Sequence, residues 1–161
     1  MDTQDVQGEI IENEKLGLGG NTVLVGSGIL YHDGKFLLVK PKNHSYWFFV
    51  GGLYDVSGET VEDLIKREYK EELGIMVEVV CPIYNRVDTS PESKLKRLVI
   101  HYLVKKVGDE DIKCIDNNDH ADIEKFRWVN LDEVRDLPTA AKTREIMEKA
   151  LKIIKDEVWK S

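Results

Sequence analysis

The segment VEDLIKREYKEEL, residues 61–73, reads as one amphipathic helix whose apolar side is interrupted by acids. Thr60-Val61-Glu62-Asp63 fits the polar-x-x-acid pattern of a helix start, and Gly74 is a natural stop. At about 100° per residue, Val61, Leu64, Ile65, Tyr69 and Leu73 spread over one arc. Glu68 and Glu72 fall within about 20° of Val61, inside that arc, and Glu71 lies near its edge. Lys66 and Lys70 take the opposite side. An unpaired carboxylate buried in a core costs several kcal/mol. The spacing therefore predicts a helix that packs with its first half and lines a cleft with its second.

Glutamates four residues from lysines on a solvated helix face are the commoner arrangement. Here the acids share the apolar side and the lysines do not, which favours a cation brought in from outside. An oxygen-seeking divalent ion, Mg²⁺ or Mn²⁺, accepts a few carboxylates, keeps waters and takes further ligands from substrate phosphates. The overall charge agrees. With 30 acids against 23 bases, the net charge is −7, which lacks the footprint of a nucleic-acid binder and repels phosphates. Bound divalent ions invert that potential locally.

With the preceding turn, the segment resembles the Nudix box, G-x5-E-x7-R-E-U-x-E-E-x-G-U with U aliphatic. Seven residues separate Glu59 from Arg67, and Glu68, Glu71-Glu72, Gly74 and Ile75 follow in place. Tyr69 replaces an aliphatic residue, and six residues rather than five separate Gly52 from Glu59. The extra residue lengthens the turn from which relatives can draw a backbone carbonyl ligand for the metal. Tyr46-Trp47-Phe48-Phe49-Val50-Gly51-Gly52 resembles the strand leading into the box, with Val50 where many members have Pro. Asp122 to Val129, DIEKFRWV, resembles the acidic loop and Arg-Trp strand of members that cleave dinucleoside polyphosphates.

The resemblance implies an α/β Nudix fold, a mixed sheet sandwiched between helices. It implies a metal-dependent hydrolase in which water attacks phosphorus within a diphosphate linkage of a nucleoside or dinucleoside polyphosphate. A nucleotide-sugar pyrophosphatase of the ADP-ribose type is the second reading, and a non-catalytic nucleotide-binding module of the same fold the third. A diphosphate isomerase would need a catalytic cysteine, and neither Cys81 nor Cys114 has a context suggesting one. The expected metal ligands are Glu68 and Glu72, with Glu71 either completing the metal shell or acting as base. Arg67 is expected to orient a box glutamate, Glu59, through a forked ion pair. Asp122 is the candidate loop carboxylate for water activation, with His120 beside it as a candidate to assist. Trp47 and Lys40 are the substrate-binding candidates, alongside other strand aromatics and Lys42 and Arg97.

Organisation follows from the same pass. Residues 1–20 read as a polar extension and 21–161 as a single domain. Strands are expected at Thr22 to Leu30, Lys35 to Lys40, Tyr46 to Val50, Ile75 to Tyr84, Lys96 to Val107 and Glu124 to Asn130. Asp88 to Lys94 is expected to be a mobile loop over the cleft. A helical turn opens at Leu131, and a last helix runs from about Lys142 to Trp159, with Met147, Ala150, Leu151, Ile154 and Val158 on one stripe. No apolar run approaches membrane-spanning length, and Met1 to Gln7 shows no signal-peptide pattern. The two cysteines have no metal-ligand spacing and are expected to be free thiols in a reducing cytoplasm. The expected partner is a small nucleotide, with no nucleic-acid polymer and no membrane; a homodimer is left open.

Overall fold

The computed structural model describes residues 22–54, 58–90, 94–116 and 123–158. The expected amino-terminal extension, His120, Asp122 and Trp159 lie outside the described residues. Strand β1, Thr22–His32, is the spine of the fold. Its first part pairs in parallel with β5, Lys96–Val107, and antiparallel with β3, Val50–Leu53. Its last residues turn through Asp33-Gly34, both at positive φ, into β2, Lys35–Pro41. The sheet is completed by β4, Met76–Thr89, outside β5, and by β6, Ile123–Val129, outside β2, giving the order β4-β5-β1-β2-β6 with β3 branching from β1. Parallel β1/β5 amid antiparallel pairs makes the sheet mixed, as expected.

Helix α1, Val61–Leu73, packs on one face of β1. It begins and ends where the local signals place it. Thr60 accepts from the Asp63 amide, Asp63 reciprocates, and Gly74 closes the helix in the left-handed region at φ 68°. Leu64, Ile65, Tyr69 and Leu73 are fully buried, each worth about 1.5–3 kcal/mol of apolar burial. Gly28 makes the close approach possible, since a Cβ there would run into Tyr69 and Ile65. The Tyr69 hydroxyl donates to the Gly28 carbonyl oxygen at 2.7 Å. Tyrosine at this position thus serves as a core residue with its polar end satisfied.

A short helix α2, Leu131–Val134, follows β6. Helix α3, Thr143–Ile153, then packs Ile146, Met147 and Ala150 with Ile29, Phe36, Phe49 and Leu103 in a second buried cluster. It continues as a π-helical turn, Ile154–Val158. Among the described residues no helix is long and apolar enough to cross a membrane. Cys81 and Cys114 are free thiols.

Two expected boundaries moved. The aromatic run Tyr46 to Val50 is not itself a strand: Trp47 and Phe48 make only isolated bridges to Thr139 and Val39, and the ladder begins at Val50. The reason is backbone fit, because Gly51 and Gly52 can lie beside Ser27 and Gly26 of β1. Likewise β4 does not end at Tyr84, and Asp88 and Thr89 are strand rather than loop, since both pair with β5 at Arg97 and Lys96. Of the expected loop, residues 91–93 lie outside the described residues.

Candidate active site

The last turns of α1 carry the acids that the helix period placed on its packed side. Glu68 is 6% exposed, whereas Glu71 and Glu72 are half-buried. Glu68 rests against Gly52 of β3 so closely that a methyl group there would collide with its carboxylate. Only glycine leaves that carboxylate room.

Arg67 organises one side of the cluster. Its Nε donates to Glu59 Oε1 at 2.8 Å and its second terminal nitrogen to Glu59 Oε2 at 3.3 Å, a two-pronged pair. The remaining terminal nitrogen lies 3.3 Å from Glu68 Oε1 and 3.3 Å from Glu71 Oε2. One guanidinium therefore bonds three carboxylates, and the Glu59 hydrogen bond, above all, holds its proton more tightly than usual.

Glu72 is in hydrogen-bond contact with Glu68, and among the described residues it has no such cation. Burial, then the neighbouring Glu68 carboxylate, pushes its carboxyl up to about 8. A buried and a half-buried carboxyl in hydrogen-bond contact hold a proton because they cannot both be charged at low cost. A divalent cation relieves that conflict, and carboxylate oxygens are the donors Mg²⁺ and Mn²⁺ prefer. As it stands, no set of three His, Cys, Asp or Glu side chains among the described residues is gathered closely enough to hold an ion. Arg67 draws Glu71 and one oxygen of Glu68 aside. The Glu68–Glu72 pair nevertheless fits an ion that takes one or two protein carboxylates and fills its remaining positions with water and phosphate.

Glu72, Gly51 and Gly52 form part of the wall of a cavity of about 750 Å³. Tyr46, Phe48 and Phe49 line it, as do Thr139 to Ala141 ahead of α3. Strands β4 and β5 add Arg86, Asp88, Arg97 and His101. The two named substrate candidates lie elsewhere. Trp47 packs against the second core cluster, and its chain neighbours Tyr46 and Phe48 line the cavity instead. Lys40 is tied to Glu124 at 2.8 Å, and Lys42 lies 3.5 Å from Asp116. Arg97 does line the cavity, with its Nε 2.7 Å from Asp88 Oδ1. Arg86 and His101 were missed by sequence reasoning, as was Asp88 as part of the site. The period-two alternation of β4 and β5 would have put them on one face, had the register been known. From the Asp122 to Val129 stretch, only Ile123 among the described residues reaches this wall, while Trp128 packs on the other core cluster.

Comparison with known proteins agrees with this architecture. The NUDIX domain model matches residues 23–150. An ADP-ribose pyrophosphatase of Methanocaldococcus jannaschii is 32% identical over 139 residues, covering 83% of this chain and 72% of that protein. A MutT Nudix hydrolase from Burkholderia pseudomallei has the same fold, with a TM-score of 0.67 at 24% identity over 80% of this chain and 97% of that one. The Nudix domain of Shewanella oneidensis NrtR, solved in complex with ADP ribose, aligns at a TM-score of 0.64 and 21% identity, covering 96% and 99%. The chain belongs to the Nudix family. Within it, the chain is a pyrophosphohydrolase.

Proposed function

We propose that this hydrolase splits the diphosphate linkage of a nucleotide-sugar of the ADP-ribose type in a divalent-metal-dependent reaction, giving a nucleoside monophosphate and a sugar phosphate. The observation that carries the substrate class is the 32% identity, over most of both chains, to a protein described as an ADP-ribose pyrophosphatase. A cleft with Glu72 of the acid cluster in one wall and strand-borne arginines in another is compatible with it. The dinucleoside polyphosphate reading draws on the Asp122 to Val129 stretch, of which Asp122 lies outside the described residues and only Ile123 among the others reaches the cleft wall.

Glu68 and Glu72 would hold the ion, Mg²⁺ or Mn²⁺. Such an ion lowers the pKa of an attacking water and neutralises charge on the phosphate oxygens. Arg67 fixes Glu59 and Glu71 around Glu68, so that the acid cluster keeps its shape as substrate arrives. Glu71, half-buried at the cluster's edge, is our proposed acceptor for the proton of the water. Asp122, which lies outside the described residues, is the second candidate, on the family resemblance alone.

The test is a screen with Mg²⁺ of nucleoside triphosphates, dinucleoside polyphosphates and nucleotide-sugars, with products separated by chromatography. ADP-ribose should give AMP and ribose 5-phosphate at the highest kcat/KM, and excess EDTA should stop the reaction. Turnover of another class with ADP-ribose inert would refute the substrate assignment. Turnover surviving EDTA would refute the metal.

A further inference from the structure

On the sheet face opposite α1, the cavity wall contains an arrangement that the acid cluster leaves unexplained. His101 is 4% exposed, yet neither ring nitrogen has a hydrogen-bond partner among the described residues. Arg86 Nε is in the same condition. Both side chains line the cavity that also contains Glu72. Leaving a buried polar group without a partner is costly, and this pair leaves three such atoms at one spot.

Local packing does not supply what they lack. Phe49 meets the His101 ring edge-on with centroids 6.3 Å apart, and Tyr84 is tilted against it at 6.0 Å. Asp88 is already engaged, by the terminal guanidinium nitrogen of Arg86 and by Arg97 Nε. Among the described residues nothing in the surrounding packing meets these atoms, and the two side chains that carry them line the cavity.

We propose that Arg86 and His101 form a hydroxyl-reading subsite for a sugar attached to the diphosphate that the acid cluster addresses. The inference rests on the function proposed above and adds to it which residues recognise the sugar. Its chemistry follows from the atoms left over. Burial and the adjacent Arg86 cation keep the imidazole neutral, so one ring nitrogen donates and the other accepts. Arg86 Nε adds a second donor. A hydroxyl both donates and accepts and can satisfy such a set. A phosphate oxygen only accepts, and it would leave the basic ring nitrogen facing negative charge.

Register supplies the spacing. Gly51 pairs with Ser27 on β1, Ser27 with His101 on β5, and Val25 with Val99, which faces Arg86 on β4. His101 is thus two strands from the glycine strand that abuts Glu68, about 10 Å at roughly 4.8 Å per strand. That separation suits a sugar carried on a phosphate.

The experiment compares ADP-ribose with the methyl ester of ADP, which keeps the diphosphate but lacks the second sugar. Wild-type enzyme with Mg²⁺ should prefer ADP-ribose in kcat/KM by at least about tenfold, as expected for a site built around hydrogen bonds. His101→Phe should cut that ratio by about tenfold or more, mainly through KM for ADP-ribose, and His101→Gln, which restores one donor and one acceptor, should recover part of it. A ratio unchanged in His101→Phe, or absent in wild type, overturns the subsite while leaving pyrophosphatase activity in place. If neither compound is cleaved, the substrate assignment fails, and the subsite is judged by binding alone. In that arm ribose 5-phosphate should move the ¹⁵N resonances of the His101 ring and inorganic phosphate should not. An equal response to both, or to neither, overturns the proposal.

Discussion

The two walls of the cleft are built by opposite means. The acid wall is local: Glu68, Glu71 and Glu72 come from two turns of one helix, and Arg67 beside them supplies the cation. The wall formed by β4 and β5 is assembled from afar, with Arg86 and Asp88 on β4 meeting Arg97 and His101 on β5 only through pairing register. On the first wall carboxylates outnumber the one guanidinium, and Glu72 keeps a proton it would lose in water. On the second two guanidiniums share one carboxylate, and an imidazole gives up a proton it would keep. A substrate with an anionic diphosphate and neutral hydroxyls asks for this division. On the proposed reading a metal would complete the acid wall, and the other wall would read the parts a metal does not.

If the acid wall is the chemical one, damage there should show in turnover first. Glu72→Gln removes the carboxylate without changing shape and should lower kcat with Mg²⁺ by about 10²–10³, equivalent to several kcal/mol of lost charge stabilisation. The same variant, freed of like-charge repulsion, should unfold at a higher urea concentration than wild type in EDTA at pH 8. Steady-state kinetics and urea titration check the two halves. Near-normal turnover would remove Glu72 from the metal site and erase the contrast between the walls.

Arg67→Lys sharpens the local wall's internal logic. A lysine keeps the charge but cannot fork onto Glu59 while reaching Glu68 and Glu71. Groups that position metal ligands typically cost about 10–100-fold when lost, and we expect kcat/KM to fall within that range with an increased Mg²⁺ requirement. A loss below about threefold would mean that the fork is only structural.

The same division explains what could be read from the chain in advance. The cap at Thr60, the stop at Gly74 and the burial of Glu68 are set by residues three to fourteen apart, and the helix period carries them directly. Local signals failed where partners are distant. Trp47 and Lys40 have the right chemistry for a base or a phosphate, but Trp47 is drawn into the core around α3 and Lys40 onto Glu124 of β6. Arg86 and His101 have ordinary surroundings in sequence, and only the β4/β5 ladder places them over the cleft. The strand expected to end at Val50 instead begins there and includes Gly51 and Gly52, and the missing side chain at Gly52 seats Glu68.

That seat gives the third test. Gly52→Ala places a methyl group against the Glu68 carboxylate, and overpacking of this kind costs about 1–3 kcal/mol. The acid must move, so kcat should fall together with the urea midpoint. Gly34→Ala is the matched control: Gly34 lies in the β1–β2 turn with nothing within 4 Å of an added Cβ, but at φ +79°. It should cost stability through backbone strain while leaving kcat near wild type. Equal losses of kcat in the two variants would show that the effect at Gly52 is general instability.

The smallest effect concerns pH, and there the walls should pull in opposite directions. In metal-free protein Glu72 holds its proton up to about 8 against an ordinary 4.5, so its contribution to stability is complete below about 4.5 and is lost as pH rises through 8. His101 sits at about 4 against 6.5, with burial the main cause and Arg86 the second. Its contribution is complete above about 6.5 and is lost as pH falls towards 4. Between 4.5 and 6.5 the two oppose each other; above 6.5 only Glu72 remains. Urea midpoints in EDTA should therefore fall from pH 6.5 to 8, by no more than about 1.4 kcal/mol per pH unit for one proton. Glu72→Gln should flatten that fall, and His101→Phe should extend it to lower pH. A wild-type midpoint that is level from 6.5 to 8 would mean that Glu72 is already ionised without metal, and that the acid wall tolerates its charges unaided.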